Sequence, residues 1–126
     1  MYIRYVNQNV NLEMLMTEIR SFFEQRGLSL EQHSEDGKYI LIAKVRGFSK
    51  VIRIIVEGSP QNFVVEGTFV EGQPLHGFLS MFGGGAFLLQ EIKLHERLSN
   101  LEKEFSTHLE NLVIKMRNSD ASGNLH

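Results

Sequence analysis

The sequence predicts one α+β domain: an N-terminal amphipathic helix, a four-stranded antiparallel β-meander, a short apolar segment with a Gly-Gly-Gly break, and a long C-terminal helix. Three observations predict it. Apolar residues recur at three and four residues over 12–23 and again from 86 to about 117. Between these stretches lie β-branched runs separated by short Gly, Asp and Pro turns. At 126 residues the chain is one domain long and can bury a core without disulfide or metal staples. Residues 1–117 form the expected domain, and the small polar run 118–126 is expected to be a disordered tail.

The elements follow in order. Tyr2–Val6 reads as a short strand. Asn9 or Asn11 caps the first helix, because an Asn side chain accepts from the free N–H groups of a first turn. Leu12, Leu15, Met16, Ile19, Phe22 and Phe23 form one stripe on that helix. Gly27 closes it, followed by the apolar Leu28. Leu28–Ser34 alternates weakly. Asp36-Gly37 centres a hairpin turn. Lys38–Arg46, Lys50–Glu57 and Gln61–Val70 are strands on composition, and short connections make them antiparallel neighbours.

Parity assigns the sheet faces. Tyr39, Leu41, Ala43, Val45, Ile52, Ile54, Val56, Phe63, Val65, Gly67 and Phe69 share the inner face, where the first helix packs. Four-residue loops predict Val45 opposite Ile52 and Val56 opposite Phe63. That register puts Arg53 between Lys44 and Glu66 on the outer face, and Ile55 between Ile42 and Val64. Ile42, Ile55 and Val64 then make an apolar row that calls for a cover.

The final helix, from Ala86 to about Arg117, would be about 48 Å long at 1.5 Å per residue. It overhangs strands of about 30 Å. Its stripe therefore predicts self-association, with Leu98, Leu101, Phe105 and Leu112 as dimer contacts. Before it, Leu75–Leu89 is almost wholly apolar yet carries Gly83, Gly84 and Gly85. Glycines there let the chain turn a corner. Phe78, Phe82, Gly83, Gly84, Gly85 and Phe87 are the expected gate or interface.

Composition narrows the chemistry. With no cysteine there is no thiolate metal site, iron–sulfur cluster or cysteine nucleophile. The net charge of -2 gives no global field for nucleic acid or an anionic membrane. Lys38, Lys44, Arg46, Lys50 and Arg53 gather on one hairpin, but Glu57 and Glu66 share their face. The glycine run lacks the Gly-Lys-Ser/Thr that meets phosphate. The segment 75–89 has no Lys or Arg flank for a membrane surface and is shorter than the ~20 residues of a spanning helix. The first ten residues lack a signal-peptide pattern, so a cytoplasmic home is the default expectation. Glu91 and His95 share a helix face, as do Glu104 and His108, but a metal site needs further ligands and none is expected. His76, near Glu71 and inside the apolar stretch, is the weak catalytic candidate.

The residues thus predict no cofactor and favour a non-enzymatic protein-interaction or assembly module acting as a homodimer. Another protein is the second choice of partner, with nucleic acid and membrane disfavoured. The alternative is a small apolar-ligand-binding protein with 75–89 as its gate. An enzyme using His76 comes third. No motif in the chain assigns it to a family.

Overall fold

The computed structural model describes residues 1–45, 51–69 and 85–123, with side chains described over 93–117 of the last segment. The element order is β1 (Tyr2–Tyr5), α1 (Leu12–Glu24), β2 (Ser29–Glu35), β3 (Lys38–Lys44), β4 (Val51–Gly58), β5 (Phe63–Thr68) and α2 (Gly85–Gly123). This is the α+β arrangement the sequence predicts, with one strand more in the sheet.

Local chemistry sets the boundaries of α1. The Asn11 side-chain oxygen accepts from the backbone N–H of Glu13 at 3.0 Å and of Met14 at 3.2 Å, so two orphan donors of the first turn are satisfied. At the other end Gly27 takes a φ of +79°. The Leu28 amide then turns back to the Phe23 carbonyl at 3.3 Å, and Leu28 itself is buried. Every member of the predicted stripe, from Leu12 to Phe23, is buried.

The sheet order is β1-β5-β4-β3-β2, all antiparallel. α1 carries the chain from one sheet edge to the other, and the meander β2 to β5 walks back until β5 meets β1. The fifth strand comes from that long-range pairing: Tyr2 lies opposite Glu66 and Tyr5 opposite Phe63. The α-amino group of Met1 donates to the Gly67 carbonyl at 2.7 Å, extending the ladder. The β2–β3 turn holds Asp36 and Gly37, both at positive φ, as a two-residue hairpin with the twist of its strands requires.

The predicted faces hold, but the register differs by two residues in both later hairpins. Ala43, not Val45, lies opposite Ile52, and Val65, not Phe63, lies opposite Val56. Loop geometry is the cause. Six residues separate the paired Lys44 and Val51. The β4–β5 connection keeps four residues but is moved along by one, to 59–62 between the paired Gly58 and Phe63. A shift of two preserves which side each residue points to while changing its neighbours. Arg53 therefore sits between Ile42 and Thr68, and Ile55 between Ile40 and Glu66. No ion pair joins Arg53 to Glu66.

Both helices pack on one face. Leu41, Ala43, Val45, Ile52, Ile54, Val56, Phe63, Val65 and Phe69 form a single core with the stripes of α1 and α2. α1 lies over β2 and β3. α2 runs antiparallel to α1 beside it, with Arg26 reaching Glu104 and Arg117 reaching Gln8. It passes the β1 edge, where the Ser106 hydroxyl approaches the Met1 sulfur at 3.7 Å. Phe105 is the hinge pin of the layer, with ring centroids 5.4, 5.2 and 5.7 Å from Phe22, Phe23 and Phe69.

Two further expectations change. α2 has 39 residues and continues to Gly123, so residues 118–123 extend the helix beyond the end of its apolar pattern at Met116. The stripe on α2 is not surplus. Leu98, Leu101, Phe105 and Leu112 are 2%, 9%, 0% and 8% exposed within the single chain, and Leu94, Leu109 and Val113 are buried with them. At about 1.5–3 kcal/mol per buried side chain, freeing that stripe for a partner would forfeit on the order of 10 kcal/mol. The monomer's own core therefore occupies the surface that length alone assigned to a dimer. The expected break at Gly83 and Gly84 lies outside the described residues; Gly85 is the first residue of α2.

Candidate interaction surface

One face of the sheet carries both helices, and no described residue of the chain covers the other. Its rows can be read from the register. Glu35, Lys38, Glu57, Val64 and Arg4 form one row, His33, Ile40, Ile55, Glu66 and Tyr2 the next, and Glu31, Ile42, Arg53 and Thr68 a third. Ile42, Ile55 and Val64 are placed on this outer face, as expected, but not side by side. Ile42 is flanked by Glu31 and Arg53, and Val64 by Glu57 and Arg4. All three are half-buried. Tyr2, at 66% exposed, is the large apolar group this face leaves most open. The cations Lys38, Lys44 and Arg53 alternate with Glu31, Glu35, Glu57 and Glu66, so the face has no single sign; Arg46 and Lys50 lie outside the described residues.

The sheet has two edges, and they differ. β1 has four residues and runs beside α2. β2 has seven, pairs on one side with β3, and among the described residues has no strand on the other. Every residue of β2 except Leu30 is exposed, including Gln32 and Ser34 on the helix side, so α1 leaves that end of the strand open. Its unpaired N–H and C=O groups form an open ladder. On its outer side the His33 Nε2 lies 3.3 Å from the Glu31 carboxylate. The sequence signal for this edge is plain in hindsight: Ser-Leu-Glu-Gln-His-Ser-Glu has a single apolar residue, and a strand with a buried face alternates.

A groove of about 500 Å³ runs between α1 and α2, lined by Arg26, Leu28, Lys93, Arg97, Asn100 and Glu104. Arg26 is committed within it. Its guanidinium lies 3.6 Å from the Phe22 ring centroid, donates to the Phe22 carbonyl at 2.9 Å, and reaches Glu104 at 3.4 Å. His108 stacks on the other flank, with its ring centroid 5.0 Å from that of Phe22. Glu104 and His108, a spacing suited to a metal pair, are thus used in helix packing. Among the described residues no group of three or more His, Asp or Glu is disposed to hold a metal ion.

The remaining candidates divide by position. His76, Phe78, Phe82, Gly83 and Gly84 lie outside the described residues. Gly85 opens α2, and Phe87 lies on that helix beyond the described side chains. Among the described residues no helix is long and apolar enough to cross a membrane.

One titratable group is clearly perturbed. Burial raises the phenol pKa of Tyr5 above its ordinary 10.0, and the nearby Glu110 carboxylate raises it further. Tyr5 stacks on Phe63 with ring centroids 5.0 Å apart, so its role is packing at the β1–α2 seam. Comparison with protein-family profiles, with curated proteins and with solved structures returned no match.

Proposed function

We propose that the chain is a non-enzymatic protein-interaction module that acts as a homodimer. The observation that supports this reading is the one-sidedness of the sheet. Both helices lie on one face, while no described residue covers the other face or the long edge of β2. An open strand edge offers backbone hydrogen bonds in a row, and a second strand can take them without rearrangement of the core.

Sedimentation velocity of the chain at tens of micromolar tests the proposal. A concentration-dependent dimer supports it, and a monomer across that range rejects it. The core between the sheet and the helices holds Phe22, Phe23, Phe63, Phe69 and Phe105.

A further inference from the structure

The geometry points to a specific docking surface: two copies of this chain pair antiparallel along β2, centred on Gln32, and join their sheets into one. This rests on the homodimer reading above and adds the surface and the register.

β2 is the longer of the two sheet edges, is exposed on both sides except at Leu30, and among the described residues pairs on one side alone. A two-fold axis perpendicular to the sheet is the simplest way to pair it with itself, because the same patch then serves both copies. That axis keeps the outer faces of the two sheets on one side. Odd-numbered residues of β2 therefore meet odd-numbered residues, and even meet even. The allowed centres are few.

Charge chooses among them. Centring on Glu31 sets Glu31 against itself. Centring on His33 sets Glu31 against Glu35, twice. Centring on Leu30 or Ser34 leaves most of the strand unpaired. Centring on Gln32 pairs all seven residues of β2. It places Glu31 opposite His33 of the second copy, and His33 opposite Glu31 of the second copy. Ser29 then faces Glu35, and Leu30 faces Ser34. A carboxylate and an imidazole directly across a ladder can share a hydrogen bond, whereas like charges oppose pairing. The carboxylates that gather near the junction already have cations one strand away: Lys38 lies opposite Glu35, and Lys44 opposite Ser29. The product is a single ten-stranded sheet with all four helices on one side, built from two five-stranded sheets and within the size open sheets reach.

The test uses the absence of native cysteine. In the proposed register Gln32 lies on the two-fold axis, with the two Cα atoms about 4.5–5.5 Å apart, inside the range a disulfide spans. Gln32→Cys should form a disulfide-linked dimer on mild oxidation, while Met14→Cys, an exposed site on α1, should not. Glu31→Lys and His33→Glu should each weaken dimerisation about tenfold, and the double variant, which places opposite charges across the ladder, should recover it. All of these positions are exposed, so circular dichroism should report an unchanged fold. Cross-linking of Gln32→Cys no faster than the control, or a double variant as weak as either single one, overturns the β2 register. If the unmodified chain still sediments as a dimer in that case, the homodimer reading survives without this surface. A chain that sediments as a monomer overturns both.

Discussion

The ring of Phe105 lies 5.2 Å from that of Phe23, and this contact locks the long helix to the first one. Phe105 is fully buried and also meets Phe22 and Phe69, so it joins α1, α2 and the end of β5. Phe105→Ala should cost about 3–5 kcal/mol of unfolding free energy, read by urea denaturation. A loss under about 1 kcal/mol would mean that α2 is not seated on this core.

Two glycines at positive φ should respond differently to alanine. At Gly58, with φ +132°, an added Cβ would collide with the Asn62 carbonyl and lie 2.8 Å from the Phe63 Cα. At Gly27, with φ +79°, it would meet nothing within 4 Å. Gly27→Ala should cost about 1–2 kcal/mol, the conformational term alone. Gly58→Ala should cost clearly more, because the β4–β5 turn must also shift. Equal melting temperatures for the two variants would contradict the turn geometry.

Asn11→Ala should lower stability by about 1 kcal/mol, since the Glu13 and Met14 amides lose their acceptor. Asn11→Asp should retain most of it, for a carboxylate accepts the same bonds and favours the positive end of the helix. Denaturant midpoints of the three proteins check the order.

Tyr5 gives stability a defined alkaline limb. Its pKa in the folded chain is raised by burial and by Glu110 above the ordinary 10.0. The folded state therefore holds the phenol proton more tightly than the unfolded state. The contribution is fully present below pH 10 and is lost as pH rises through the folded-state pKa, because the unfolded state then releases its proton first. Tyr5→Phe should flatten the fall in melting temperature above pH 10 and leave it unchanged at neutral pH apart from packing. An unchanged alkaline slope would assign the fall to other groups.

The parts legible in the sequence are those set by local chemistry. The limits of α1 follow from the Asn11 cap, the three-and-four spacing and Gly27. The Asp36-Gly37 hairpin follows from positive φ. The inner face of each strand follows from parity, which survives a register shift of two. Long-range pairing was not legible. A four-residue strand such as β1 carries too little pattern to name β5 as its partner. Nor does a loop's composition say which residue is last to pair, so the register breaks the row of Ile42, Ile55 and Val64 that four-residue loops predict. Helix length set against strand length predicts a surplus stripe on α2, whereas what decides is the width of the sheet face. α1 covers only the β2–β3 side of it, and Leu98, Phe105 and Leu109 fill the rest. The β2 edge was visible as a run of polar residues but stood out only once its neighbours were known.

The open edge of β2 is proposed to join two copies of the chain. Hydrogen exchange of the β2 backbone amides, measured well above and well below the dimer dissociation constant found by sedimentation, tests it most directly. Residues 29–35 should lose their edge amides to rapid exchange in the dilute sample and gain protection in the concentrated one, while the exposed face of α1 stays unchanged. Equal exchange of those amides at both concentrations would contradict the account.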